Sequence, residues 1–300
     1  MMFGSGESFD YVECSKCGCL QIIEIPDNMG RYYPNKNYYS FENKQNNYNA
    51  LMKILINKRD EYCLLKNNLF GKLINIKYPN QFFSILGDLK INNNSKILDV
   101  GCGSGKFLFR LKELNFNQLS GIDLYVEKEV LSEKLEITRK NIHQLHNEQK
   151  FDLILFQHSL EHMYDPFETF KKVGSILSKN GICIVRMPVK TNYIWKLYGV
   201  NWVQIDAPRH FLINTLESFN FLLEKTNFKL QNVIFDSNDF VFRGSEQYKL
   251  GIPLNALNSY SINPKKSIFT PEDIKKFQEK AKELNKEKLG DQAMFVITKS

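Results

Sequence analysis

The apolar positions of this 300-residue chain change period along its length. Between residues 42 and 90 they recur as Leu51, Ile54 and Leu55, then Leu64, Leu65 and Leu69, then Phe82, Phe83 and Leu86. That spacing predicts two or three helices, broken near Asn67-Asn68 and Pro79. From residue 96, short apolar runs alternate with helical patterns. Strands are predicted at 96–100, 118–123, 135–139, 151–156 and 182–187, with helices at 104–114, 126–134 and 165–177. The run from Phe151 to Phe156 is nearly all apolar, as suits a strand covered on both faces. After Pro188 the periodicity gives way to an aromatic-rich insertion, 191–211, with Trp195, Tyr198 and Trp202. A helix at 215–225 follows, with Asn214 and Glu217 at capping-box spacing. A sixth strand is predicted at 228–235 and a loop-like stretch at 236–264. Thr270-Pro271-Glu272-Asp273 then opens a helix with one apolar face, Ile274, Phe277, Ala281 and Leu284. A seventh strand at 294–298 ends the pattern.

Alternating strands and helices imply an α/β fold: a doubly wound, seven-stranded, mostly parallel sheet with ligands at the carboxyl ends of its strands. The predicted layout is an N-terminal segment at 1–40, a helical cap at 41–90, and a main domain at 91–300 with insertions at 189–213 and 236–290.

The chain is organised around Ile97-Leu98-Asp99-Val100-Gly101-Cys102-Gly103-Ser104-Gly105. A buried strand ends here in a glycine turn, and the N–H groups of a helix start face whatever lies in it. A P-loop is excluded, because Gly105-Lys106 has Val100 at the required upstream position and Phe107 after it. A dinucleotide fingerprint is met at Gly101 and Gly103 but fails at Lys106. Asp99-x-Gly101-x-Gly103-x-Gly105 closely resembles motif I of the class I S-adenosylmethionine-dependent methyltransferases, whose fold is Rossmann-like. The resemblance implies that Asp99, Gly101, Cys102, Gly103 and Gly105 pass beneath the cofactor. It implies that Asp123, with Leu124 beside it, ends the second strand and accepts the ribose hydroxyls. Asn141 and Ile142 stand where the family reads the adenine edge, and Gln157 ends the fourth strand. The competing reading is an ordinary strand–turn–helix with a stray acid.

The next loop reads Gln157-His158-Ser159-Leu160-Glu161-His162-Met163-Tyr164-Asp165-Pro166. It resembles the post-motif of small-molecule methyltransferases of the same class. Methyl transfer to a hydroxyl needs an in-line approach and removal of the acceptor's proton, which histidine does well near neutral pH. His162 or His210 is the expected general base, with His158 and Glu161 beside it and Arg209 placed to hold a phosphate or carboxylate of the acceptor. In the bland reading, Glu161 and His162 cap the next helix and brace the insertion. His158, Glu161, His162 and His210 also resemble the metal-binding set of small-RNA ribose methyltransferases, with His in place of the first Glu. A cation there would lower the pKa of the acceptor hydroxyl.

Cys14, Cys17 and Cys19 form half a zinc ribbon, with Cys63 as a distant fourth candidate ligand. The tyrosine-rich stretch Tyr32, Tyr33, Pro34, Tyr38, Tyr39 and Phe41 reads as a packing loop, with a lid as the alternative. Six scattered cysteines show no disulfide framework, no long apolar run spans a membrane, and there is no signal-peptide layout, which together suggest a cytoplasmic protein. The formal charge of +7 is spread along the chain, which argues against a nucleic-acid patch. The absence of Pro-Pro-Tyr/Phe after the fourth strand and of a Pro-Cys pair argues against two nucleobase-methylating classes.

The whole layout, with Asp206-Ala207-Pro208-Arg209-His210-Phe211, Gly244-Ser245-Glu246-Gln247-Tyr248 and Gly290-Asp291-Gln292-Ala293, resembles methyltransferase-23-like enzymes found with bacterial surface-glycan pathways. That resemblance implies a small-molecule, nucleotide-sugar or glycan-linked acceptor, methylated at a sugar hydroxyl. The alternatives are an RNA ribose 2'-O-methyltransferase with a metal-supported site, and a non-catalytic cofactor-binding partner subunit.

Overall fold

The computed structural model describes residues 4–33 and 49–300. Pro34, Tyr38, Tyr39 and Phe41 lie outside the described residues. In chain order the described strands begin with β1 (Tyr11–Glu13) and β2 (Leu20–Ile22). Three helices follow, α1 (Ala50–Leu65), α2 (Leu69–Lys77) and α3 (Gln81–Asp88). Then come β3 (Lys96–Val100), α4 (Lys106–Glu113), β4 (Gln118–Ile122), β5 (Val130–Ser132) and β6 (Leu135–Thr138). The middle of the chain holds β7 (Phe151–Gln157), α5 (Pro166–Ile176), β8 (Leu177–Pro188), α6 (Asn192–Tyr198) and β9 (Leu212–Ile213). The last elements are α7 (Leu216–Lys225), β10 (Phe228–Phe235), α8 (Phe240–Lys249), α9 (Pro271–Lys286) and β11 (Gln292–Lys299). The expected mostly parallel, doubly wound sheet with flanking helices is present.

The chain divides into two compact units, residues 35–155 with 175–182, and residues 1–34 with 156–174 and 183–300. In the first of these the strand order is β7-β3-β4-β6-β5. β3, β4 and β6 run parallel, with Val100 opposite Ile122 and Ile122 opposite Thr138. The sequence pattern predicts a helix over 126–134, but β5 forms there instead and pairs antiparallel with β6. The Ser132 hydroxyl donates to the Leu135 carbonyl at 3.0 Å and closes that hairpin. Helix formers in the sequence are overridden by a free sheet edge. Asparagines open α1, α2 and α3: the side chains of Asn49, Asn68 and Asn80 accept from the N–H groups of Met52, Gly71 and Phe83. Asp60 of α1 is buried and accepts from Arg110 at 2.8 Å and from the Asn80 amide at 2.9 Å, which ties the cap to α4.

In the other unit β1, β2 and β9 form a small sheet, and β10 pairs antiparallel with β11, which lies beside β8. Phe170 gathers Phe156, Phe219 and Phe228 around it. A second core joins Trp202, Ile194, Tyr198, Val203 and Phe242. Two local expectations change here. The stretch 236–264 is not all loop, because α8 runs through Gly244-Ser245-Glu246-Gln247-Tyr248. Two of its buried polar side chains find partners across the loop: Ser245 Oγ accepts from Val203 N–H at 3.0 Å, and Gln247 accepts from Tyr260 N–H at 2.9 Å. The capping box of α7 is made by Thr215 and Ser218 rather than by Asn214 and Glu217. Among the described residues, no helix is long and apolar enough to cross a membrane.

The Trp202 indole N–H donates to Asp291 Oδ2 at 3.0 Å, and both side chains are buried. Burial raises the Asp291 carboxyl from 3.8 to about 6, against the hydrogen bonds it receives. Its contribution to stability is therefore full at low pH and is lost as pH rises through about 6. Asp291→Asn keeps an acceptor for Trp202 and removes the charge. We expect the variant to gain about 2 kcal/mol relative to the parent on going from pH 4 to pH 7.5, read by urea unfolding at both pH values. A difference between the two proteins that stays constant with pH would contradict this.

Candidate active site

In the unit built on β3 and β4, the turn after β3 is shaped by three glycines with positive φ, Gly101 at 75°, Gly103 at 54° and Gly105 at 75°. The N–H groups of Gly101 and Cys102 both donate to the Ile122 carbonyl, at 2.8 and 3.2 Å. Gly103 N–H donates to Asp123 Oδ2 at 2.9 Å, and Tyr125 N–H donates to Asp123 Oδ1 at 2.7 Å. Asp123 is thus held by a backbone N–H on each oxygen. Asp99 is buried in β3, and Leu124 is exposed after β4. Burial raises the Cys102 thiol, helped by the charges of Asp99 and Asp123.

The residues fit S-adenosylmethionine: a turn without side chains at three positions, followed by a helix start and an oriented carboxylate. Asn141 does something else as well. Its Oδ1 accepts from His143 and Gln144 N–H, and Gln144 returns a bond to the Asn141 N–H, so that oxygen caps a turn. The Ile142 side chain is buried beside it. Gln157 is the half-buried last residue of β7.

The other unit holds the histidine cluster. Glu161 is 1% exposed, and neither of its carboxylate oxygens accepts a hydrogen bond. His158 Nδ1 stands 3.4 Å and His210 Nε2 4.0 Å from Glu161 Oε1. His162 Nδ1 lies 2.7 Å from the Arg209 carbonyl, and His210 Nδ1 lies 2.7 Å from the Gln204 carbonyl. A carbonyl can only accept, so both rings carry their proton on Nδ1 and leave Nε2 as a lone pair. The ligand-capable atoms of Glu161, His162 and His210 all lie within 4.8 Å of one another.

Burial would raise the Glu161 carboxyl, but the facing imidazoles, His158 first, hold it down at about 2. Burial lowers His162 to about 4, and His210 to about 4, against the pull of Glu161. At neutral pH the Glu161 carboxylate therefore sits beside the uncharged rings of His162 and His210. Its backbone is fixed too. Phe211 N–H donates to the Glu161 carbonyl at 2.7 Å, and His158 N–H donates to the Arg186 carbonyl at 2.8 Å with His158 at φ 56°. A left-handed non-glycine residue is a strained position of the kind that gathers at functional sites.

Arg209 is buried and paired with Asp206, and its guanidinium lies 5.6 Å from the Tyr33 ring centroid. Tyr33 also stands 3.3 Å from His162 Nδ1. Asp206 and Tyr33 are the members of this cluster that sequence reasoning left out. The signal for Asp206 was its place three residues before Arg209, and for Tyr33 its place in the tyrosine-rich stretch.

Cys14, Cys17 and Cys19 converge in the turn between β1 and β2, with Cys17 Sγ and Cys19 Sγ 3.5 Å apart. Nearby N–H groups lower the Cys14 thiol, and burial raises Cys19 to about 12. Among the described residues, no fourth His, Cys, Asp or Glu joins them. Cys63 is buried in α1, where its thiol donates to Asn75 at 3.1 Å. Lys190 braces the turn by donating to the Gly18 carbonyl and to Glu13, each at 2.8 Å.

Residues 75–233, just over half of the chain, match a family described as a methyltransferase domain. The chain belongs to that family and is a class I S-adenosylmethionine-dependent methyltransferase. It is similar to the ubiquinone biosynthesis O-methyltransferase of Rickettsia typhi (strain ATCC VR-144 / Wilmington), 25% identical over 231 residues, 65% of this chain and 91% of that protein. The enzyme of the same name from Pelagibacter ubique (strain HTCC1062) is 30% identical over 146 residues, 43% of this chain and 60% of that one. Among solved structures, a candidate sarcosine dimethylglycine methyltransferase from Galdieria sulphuraria shares the fold, with a TM-score of 0.50 at 12% identity over 79% of this chain and 90% of that one.

A Cβ at Gly105 would lie 2.2 Å from Ile137 Cδ1, at φ +75°. Gly251 has φ +68° and nothing within 4 Å of a built Cβ. Gly251→Ala should cost only the backbone conformation, about 1 kcal/mol, and Gly105→Ala about 2 kcal/mol or more, both by chemical unfolding. Equal losses would mean that the turn has room for a side chain.

Proposed function

We propose that this methyltransferase acts on a hydroxyl of a small or glycan-linked acceptor, a sugar hydroxyl first among them. The observation that carries the reading is the buried Glu161 carboxylate with the partly exposed His158 imidazole 3.4 Å from it, a carboxylate–imidazole pair suited to withdrawing a proton from an oxygen acid. The names of both relatives, which are O-methyltransferases, support oxygen as the methylated atom. Those names also favour a second acceptor, a hydroxyl on an aromatic ring of the ubiquinone-precursor kind.

When bound, S-adenosylmethionine supplies an electrophilic methyl on a sulfonium sulfur. The chain holds it through the Gly101–Gly105 turn and the Asp123 carboxylate, and that carboxylate orients the ribose. Burial alone counts against His162 and His210 as the direct base, since both hold their Nδ1–H on backbone carbonyls and turn inward. His158 is the better general base. Its side chain is 30% exposed, and its Nδ1 faces Glu161, which leaves Nε2 to take the acceptor's proton. Glu161 orients that ring and balances the imidazolium as it forms. Arg209 is engaged with Asp206 and positions the loop rather than binding an acceptor phosphate.

The Cys14, Cys17 and Cys19 thiols suit a structural zinc, with the fourth position left to water or to a ligand outside the described residues.

The test is a radiolabelled methyl-transfer screen across nucleotide-sugars, free sugars and phenols. His158→Ala should lower kcat by about 10²–10⁴-fold on the best acceptor while leaving cofactor affinity unchanged. Transfer to amines or thiols in preference to every hydroxyl tested would overturn the reading.

A further inference from the structure

α2 is built inside out for a surface helix. Such a helix usually turns its apolar face to the core and its polar face to water. Here the side that packs on α1 is small and polar. Gly71 is buried, and a Cβ in its place would lie 2.1 Å from the Lys58 carbonyl oxygen and 2.7 Å from Tyr62 Cβ. The Asn68 amide donates to that same carbonyl at 3.1 Å. Asn75 Oδ1 accepts from the Cys63 thiol at 3.1 Å and from Asn80 N–H at 2.9 Å. These contacts fix the helix about its own axis and leave its large apolar side chains outside. Leu69 is 80% exposed, Ile76 72%, Leu73 66% and Phe70 56%. At 3.6 residues per turn, Leu69, Leu73 and Ile76 fall within about 60° of one another. Lys72 and Lys77 stand about 40° beyond that stripe, one on each side.

A contiguous exposed apolar face marks a contact surface, and its charge says what kind. α2 carries two lysines and no acid. From residue 50 to residue 78, six basic residues stand against two acidic ones, of which Asp60 is buried. A patch made for another protein favours Trp, Tyr, Arg and Met and avoids lysine. A bilayer surface favours what is present: aliphatic side chains enter the acyl boundary, while lysine stems lie along it and carry their ammonium groups to lipid phosphates. A second copy of this chain is a poorer occupant. A two-fold contact through α2 would set its lysines against each other with no acid of α2 between them.

We propose that α2 docks the protein on an anionic lipid bilayer, lying flat in the headgroup region with the Leu69, Leu73 and Ile76 stripe toward the acyl chains. Nine residues of helix are about 13 Å long, less than half of a hydrocarbon core of about 30 Å, so α2 lies on the membrane and does not span it. One short stripe with two lysines gives reversible attachment. The docking is independent of the acceptor reading above and holds whichever atom is methylated.

The experiment is co-sedimentation of the full chain with sucrose-loaded vesicles, made of phosphatidylcholine alone or with about 30% phosphatidylglycerol. We expect binding to the mixed vesicles that weakens as salt rises, and at least about tenfold weaker binding to phosphatidylcholine alone. Leu73→Asn with Ile76→Asn removes the stripe and keeps the charge. Lys72→Gln with Lys77→Gln does the opposite. Each pair should lower the partition coefficient at least about tenfold. Leu257→Asn, at a side chain 82% exposed elsewhere in the chain, should leave it unchanged. The substituted α2 side chains are exposed, so urea unfolding midpoints equal to the parent's report that each variant is folded.

Folded protein that stays in the supernatant with both kinds of vesicle would overturn the inference, as would equal binding to the two, or parental binding by either double variant. A dimer in solution that Leu73→Asn with Ile76→Asn dissolves, with no vesicle binding by the parent, would assign the stripe to a second copy and overturn it equally.

Discussion

The hydrogen bond from Gly103 N–H to the Asp123 carboxylate joins the ends of two neighbouring strands, and the proposed cofactor site depends on it. It works only because the turn after β3 has positive φ at three glycines, which lets backbone N–H groups face inward. The same turn is fastened from behind by two N–H bonds to the Ile122 carbonyl. A carboxylate held by two backbone N–H groups is oriented before any ligand arrives, so little is lost in ordering it on binding. The parallel register of β3, β4 and β6 brings these groups together, and the apolar runs of the sequence specify that register.

The Glu161 cluster solves a different problem. Here the chain accepts the cost of burying a charge, and the backbone around it is fixed at several points. The Phe211, Arg209 and Gln204 main chain each bonds to Glu161, His162 or His210. The insertion after β8 therefore fixes the rings of His162 and His210 through its backbone carbonyls. The small sheet of β1, β2 and β9 secures that insertion in turn, with Ile22 N–H donating to the Phe211 carbonyl at 3.0 Å and the Tyr11 hydroxyl donating to the His210 carbonyl at 2.7 Å. The N-terminal knuckle, whatever it holds, is part of the support of the histidine cluster.

Much of this was legible in the residues. The alternation of apolar runs and helical patterns reports burial directly, and the glycine turn with its two acids reports a backbone geometry that few ligands use. Thr270-Pro271-Glu272-Asp273 announced α9 because cap, proline and acids each act locally. Three features escaped for nameable reasons. The 126–134 stretch is rich in helix formers, and only the presence of an unpaired edge on β6 turns it into β5. α8 hid because Gly244 and the buried Ser245 and Gln247 break the apolar period; each meets its partner from distant residues, Val203, Ser259 and Tyr260. Asn141 looked free to read a base, and its short-range capping bonds are invisible to a spacing argument. The histidines were visible as residue types, but which nitrogen carries the proton follows from carbonyls supplied by residues far along the chain.

The most direct test of the account is calorimetric titration of the protein with S-adenosylmethionine and S-adenosylhomocysteine, beside Asp123→Ala. The account predicts one site per chain in the parent, with affinity at least about tenfold weaker in a variant that unfolds at the same denaturant concentration, since a charge-assisted hydrogen bond is worth about 1.5–3 kcal/mol. Well-folded parent protein that binds neither compound would contradict it, and so would binding that Asp123→Ala leaves untouched.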